Sequence, residues 1–151
     1  MERAAARDRA TRKADTLTML ATPAIDVWVA TASTEGEPYL VPVSLAWTGE
    51  RVLIAVPASS VTARNLTASG RARLAVGPTR DVVMIDAVVE RTVDLATDDA
   101  LWKAYVAQAD WDPRSGPDYA FFLLRPVRVQ AWREANEMSD RALMRDGAWL
   151  V

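Results

Sequence analysis

The sequence contains no cysteine and no histidine. The first absence excludes disulfides and thiolate nucleophiles, and the two together exclude Cys/His metal sites. The usual general base near neutral pH is missing as well. Any chemistry must therefore come from Asp, Glu, Tyr, Ser, Thr, Arg or a bound cofactor; neither a resident metal ion nor a catalytic side chain is expected. No apolar run approaches ~18 residues, so no membrane-spanning helix is expected. The stretch from Met1 to Lys13 is charged and Ala-rich with no apolar core behind it, which does not read as a secretory signal, and a cytoplasmic location is the expectation. Lysine is nearly absent, with 2 residues against 16 arginines. The formal net charge of −2 provides no global field to recruit nucleic acid.

What is present is ordinary for a globular domain. Half of the 151 residues are hydrophobic and a quarter are charged. A chain of this length buries roughly 70% of its unfolded surface, enough for one domain over residues 1–151 without staples. Residues 1–22 hold an N-terminal helix, because Ala14, Leu17, Leu20 and Ala21 recur at helical spacing before Pro23. Asp26 to Ser33 and Tyr39 to Thr48 read as strands joined by Glu35-Gly36-Glu37-Pro38 turn chemistry. Pro42 cannot donate to a ladder, which predicts an edge, a bulge or an opening there. Gly49 marks a hairpin into Arg51 to Val56.

The period then changes. Ser60 can cap a helix with Ala63 and Leu66 facing inward, and Gly70 suits its C-terminal end. Arg71 to Val76 alternates basic and apolar residues, a half-exposed strand, and Val82 to Val93 is a long strand beyond the Gly77-Pro78 turn. Thr97 is the expected cap of an acidic-first helix, Asp98 to Ala109. Trp111 to Pro117 reads as a loop, Tyr119 to Trp132 as the last strand with Pro126 inside it, and residues 134–151 as a tail holding a short helical turn within Ser139 to Val151. Hairpin-linked strands, about six in all with few helices, predict a mainly β, antiparallel barrel.

Three pieces carry a resemblance: Val41-Pro42-Val43-Ser44 leading to an aromatic and a Gly hairpin; Ala63-Arg64-Asn65-Leu66 followed by Gly70-Arg71-Ala72-Arg73-Leu74; and the closing strand Phe122 to Trp132. In this order and spacing, over roughly Ala21 to Arg133, the chain resembles the pyridoxamine 5′-phosphate oxidase-like split β-barrel superfamily. The resemblance implies a homodimer with a cofactor at each subunit interface, FMN or alternatively the deazaflavin coenzyme F420. It also implies hydride transfer to or from a small organic substrate, an oxidoreductase whose cofactor carries the hard step. The alternative is a non-catalytic cofactor-binding carrier. Classical pyridoxamine 5′-phosphate oxidase activity is less favoured, because no second basic cluster with histidine support is found.

The candidate cofactor residues each have a plainer reading. Ser59, Ser60, Thr62, Arg64 and Asn65 are, by pattern alone, a capped surface helix; the resemblance makes Pro57 to Gly70 the phosphate loop and helix, with hydroxyls and a guanidinium at a helix N-terminus. Family members often carry a cation where Thr62 stands, which leaves Arg64 with most of the charge. Pro42, Val43 and Ser44 are a strand-edge proline and core residues, or the strand whose backbone reaches the cofactor ring. Trp132 packs on an interface or core, or, as the resemblance implies, approaches the partner subunit's cofactor. Asp86 and Glu90, four apart on one strand, read as a solvated face before an acid–base pair. Arg71 and Arg73 read likewise as a solvated face.

Overall fold

The computed structural model describes residues 3–116 and 118–151; Met1 and Glu2 of the N-terminal stretch and Pro117 of the predicted Trp111 to Pro117 loop lie outside the described residues. Helix α1 (Arg9–Leu20) precedes strands β1 (Asp26–Ala32), β2 (Pro38–Trp47) and β3 (Val52–Pro57). Helix α2 (Val61–Ser69), strands β4 (Arg71–Val76) and β5 (Val82–Val93), helix α3 (Asp99–Ala109) and the long strand β6 (Tyr119–Trp132) follow in the order the sequence predicts. The cap of α3 is Asp98 rather than Thr97: the Asp98 carboxylate accepts from the Leu101 N–H, while the Thr97 hydroxyl donates to the Asp94 carbonyl.

The tail departs from the prediction. In place of a helical turn it forms a hairpin of β7 (Ala142–Arg145) and β8 (Ala148–Trp149). Asp146 and Gly147 both have positive φ, 51° and 77°, the requirement of a two-residue type I′ turn. The one helical turn nearby, Ala135–Glu137, lies upstream of that segment.

All strand pairings are antiparallel, in the order β3-β2-β1-β4-β5-β6, and β3 pairs with β6 to close a six-stranded barrel; β7 and β8 continue the sheet beyond β6. The closure explains why the β3 sequence is apolar throughout. Val52, Ile54 and Val56 face the barrel interior with Leu74, Ile85, Phe122 and Leu124. Leu53 and Ala55 face outward into a second core with Ala46, Leu123 and Tyr105, which α3 covers. A strand buried on both faces loses the polar alternation that β1 and β4 keep. Pro126 sits at a register shift between β5 and β6, where Ala87 pairs with Pro126 and Asp86 with Arg128, so the missing N–H falls at a bulge. Among the described residues, no helix is long and apolar enough to cross a membrane.

Candidate functional site

The barrel opens where β2 and β3 part. Their pairing runs through Trp47–Val52, Ala46–Leu53 and Leu45–Ile54 and then stops. Had the register continued, Pro42 would face Pro57. Instead β3 pairs on with β6 as far as Pro57–Tyr119, and residues 38–44 of β2 pair only with β1. The predicted opening at Pro42 is therefore real: this stretch of β2 has one unpaired edge, where a proline is tolerated.

Helix α2 begins at that opening. The Ser60 N–H donates to the Pro57 carbonyl, and the Ser60 hydroxyl accepts from the Ala63 N–H at 3.1 Å, so Ser60 is the cap the sequence predicts. Gly70, at φ 68°, ends the helix in the left-handed conformation. The amides of Val61 and Thr62, in the first turn, have no carbonyl before them to reach. Arg64 is exposed, and its side chain folds back so that a guanidinium N–H donates to the Ser59 carbonyl at 3.0 Å. Ser59, Ser60 and Arg64 thus converge at the N-terminal end of α2. Replacing Ser60 by Ala is expected to lower stability by about 1 kcal/mol in urea melts, whereas Gly loses only a few tenths; equal midpoints for Ala and wild type would contradict the cap.

Thr62 and Asn65 face the other way. Thr62 is 1% exposed and Asn65 5%. The Asn65 side-chain amide donates to the Thr31 hydroxyl at 3.1 Å, which ties α2 to β1. On the opposite lip, Pro42 is exposed and Val43 packs against the barrel core. The Ser44 hydroxyl accepts from the Trp111 indole N–H at 3.1 Å. Behind it the Tyr105 hydroxyl is buried without a well-formed hydrogen bond, and burial pushes its pKa up.

Trp132 stands apart. It is half-buried at the far end of β6, opposite Val82, whereas α2 begins beside Tyr119 at the near end. The separation is roughly 40 Å of strand, so within one chain Trp132 does not join the α2 end. The carboxylates Asp86 and Glu90 do not meet: Asp86 pairs with Arg73 at 2.6 Å and Glu90 with Arg51 at 3.0 Å. Arg73 is mostly exposed and Arg71 is exposed, as a solvated strand face requires, and both border a shallow cleft of about 590 Å³ with Thr31, Ser33 and Ser69. Sequence reading missed the inward turn of Thr62 and Asn65. Their positions relative to the buried Ala63 and Leu66 on a 3.6-residue period were the available signal.

Residues 24–133 match the family model described as pyridoxamine 5′-phosphate oxidase. Among solved structures, an F420 reductase is similar at 20% identity and TM-score 0.62, over 74% of this chain and 93% of that one. A heme binding protein from Mycobacterium smegmatis is similar at 22% identity and TM-score 0.64, over 95% of this chain and 60% of its own length. A conserved hypothetical protein from Mycobacterium tuberculosis is similar at 17% identity and TM-score 0.65, over 90% and 91% of the two chains. No curated protein matches the chain. The family match spans β1 to the end of β6, the whole closed barrel with its opening at α2, and the chain belongs to the pyridoxamine 5′-phosphate oxidase family of split barrels.

Proposed function

We propose that the protein is a flavin- or deazaflavin-dependent oxidoreductase that acts on a small organic substrate, with its cofactor held between two copies of the chain. The observation that carries this reading is the α2 end: an exposed guanidinium folded onto the helix N-terminus beside two serines, at the opening of the barrel. That donor set fits a phosphate, since helix-end amides, hydroxyls and an arginine each favour a phosphoryl oxygen. Ser59, Ser60, Arg64 and the first-turn amides would hold the phosphate of FMN or, in the alternative, of coenzyme F420. Asn65 supports this end from inside, tying α2 to β1, with Thr62 buried beside it. The unpaired edge at Pro42, Val43 and Ser44 offers backbone groups to the ring's polar rim. When bound, the cofactor supplies a ring that exchanges hydride with the substrate.

A second copy of the chain has a surface to meet. Trp28 (49% exposed) and Leu40 (58% exposed) stand on the outer face of β1 and β2, and Trp28 pairs directly with Pro42. An apolar patch of this kind beside the barrel opening favours burial against a partner. The same partner would bring its own Trp132 toward this site.

The absorption spectrum of the purified protein, followed by identification of any released chromophore, is the direct test. Titration with FMN and with F420, read by fluorescence quenching, is expected to show saturable binding that weakens about tenfold in Arg64→Ala, the loss of one charge-assisted contact. A colourless protein that binds neither cofactor would overturn the reading. One observation favours a second, non-catalytic reading as a cofactor carrier: with Thr62 buried where relatives often carry a cation, a single guanidinium serves the α2 end. Binding with no electron transfer to an artificial acceptor would select it, and a heme titration extends the test to the chemistry named for the mycobacterial heme binding protein.

A further inference from the structure

Arg9, Arg128, Arg141 and Arg145 are scattered along the sequence, and the fold gathers them. They line one surface cleft of about 260 Å³ with Gln130, Met138 and Asp140. Arg9 opens α1, Arg128 and Gln130 stand on β6, Arg141 immediately precedes β7, and Arg145 ends it. The cleft thus has four guanidiniums and one carboxylate along its walls. Asp140 pairs with Arg9 at 3.3 Å. Among the described residues Arg128, Arg141 and Arg145 have no carboxylate partner; Arg141 donates only to the Met138 carbonyl.

Two features make this arrangement unfavourable when nothing is bound. Strands β6 and β7 pair through Val129 and Met144, and the Gly147 N–H donates to the Val127 carbonyl. Between these two contacts β6 has one residue, Arg128, and β7 has two, Arg145 and Asp146, so Arg128 and Arg145 stand at neighbouring strand positions on the cleft wall, and like charges gathered this closely repel. The carboxylate on the other side of Arg128, Asp86 across β5, is already held by Arg73. In addition, the Arg9 Nε is buried and has no acceptor. A buried donor left unpaired forfeits its hydration without a replacement. An oxyanion in the cleft supplies acceptors and a counter-charge to the guanidiniums that line it.

We propose that this cleft binds a multiply charged oxyanion, the polyphosphate or polycarboxylate group of a small molecule. Its residues are separate from the α2 end: Arg128 and Gln130 lie far along β6 from Tyr119, beside which α2 begins. The half-exposed Met138 gives the rim one apolar contact for the organic part of the ligand. The proposal is independent of the cofactor assignment.

Calorimetric titration of the purified protein at low ionic strength, with pyrophosphate and in parallel with citrate, tests it. The expected result is a site weakened by added salt and weakened roughly tenfold by Arg128→Gln or Arg145→Gln that persists in Arg64→Gln; any pyrophosphate held at the α2 end occupies a separate site, lost in Arg64→Gln and kept in the cleft variants. Tighter binding of pyrophosphate assigns a phosphoryl ligand; tighter binding of citrate assigns a carboxylate one. Melting curves provide a second readout with its own sign. Without anion, Arg145→Gln should melt above wild type because one of four clustered positive charges is removed; with saturating anion, wild type should melt higher by mass action. The proposal is overturned if neither anion binds, if Arg128→Gln and Arg145→Gln bind as wild type does, or if Arg64→Gln removes the binding.

Discussion

Glu137→Gln is expected to lower the stability of the protein by about 3–5 kcal/mol at pH 7, the range for breaking a buried charge pair. The Glu137 side chain is 3% exposed and that of Arg7 10%. Its carboxylate accepts from the Arg7 backbone N–H at 3.1 Å, from Arg7 Nε at 2.9 Å and Nη2 at 2.7 Å, and from the Arg133 N–H at 2.9 Å. The neighbouring Arg12 is 2% exposed and donates to the carbonyls of Arg7, Glu137 and Ser139. Removing the negative charge takes from the Arg7 guanidinium its main buried counter-charge, leaving Asp15 at 2.8 Å and Asp81 at 3.8 Å, and it loosens the start of α1 from the segment that follows β6.

The same group sets an acid limit. The Arg7 side-chain hydrogen bond, against the opposing effect of burial, holds the Glu137 carboxyl at about 2 instead of the usual 4.5. The folded protein therefore binds this proton less readily than the unfolded chain does. The resulting stabilisation is complete above about pH 4.5 and is lost as the pH falls to about 2. Its size is roughly 3 kcal/mol, from the free energy of such a displacement. Urea midpoints measured from pH 7 to pH 2 should decline across that window in wild type and more shallowly in Glu137→Gln. A variant as stable as wild type at pH 7 would show that the network contributes nothing.

Gly77→Ala is expected to lower stability by about 3 kcal/mol or more. Gly77 has a φ of +86°, in the left-handed region, and an added Cβ there would meet the Asp81 carbonyl oxygen, with Met19 Sδ at 2.8 Å. The methionine can move, but the Asp81 oxygen is backbone in a turn whose Asp81 N–H donates to the Pro78 carbonyl at 2.9 Å, and it cannot give way cheaply. Strained backbone of this kind is worth of order 1–3 kcal/mol before any clash is added. Gly36 provides the control: its φ is +82° but nothing lies within 4 Å of its added Cβ. Gly36→Ala should therefore lose only about 1 kcal/mol, and the difference between the two isolates the clash. Asp81 also pairs with Arg133 at 3.2 Å, so Gly77→Ala and Glu137→Gln disturb one corner and should not be additive. Equal losses for the two alanine variants in thermal melts would refute the steric argument.

Local sequence encodes whatever depends on neighbours along the chain. The alternation in β1 and β4, the Ser60 cap, the Gly70 stop and the order of nine elements up to β6 are local properties, set by side-chain period and capping chemistry. The β7–β8 hairpin belongs to this class too, since Asp146-Gly147 between Leu143-Met144-Arg145 and Ala148-Trp149 is a local turn signal. Tertiary structure decided the rest. Barrel closure by β3 and β6 made an all-apolar strand necessary, and the parting of β2 from β3 created the opening at which α2 begins. The helical period places Thr62 on the face of Ala63 and Leu66, and the seating of α2 on β1 is what turns that face into the protein. Arg7 and Glu137 are 130 residues apart, and Arg9 is distant from Arg145 in the same way. Charges so separated carry no periodic signature, because their meeting is a property of the closed barrel and not of the chain.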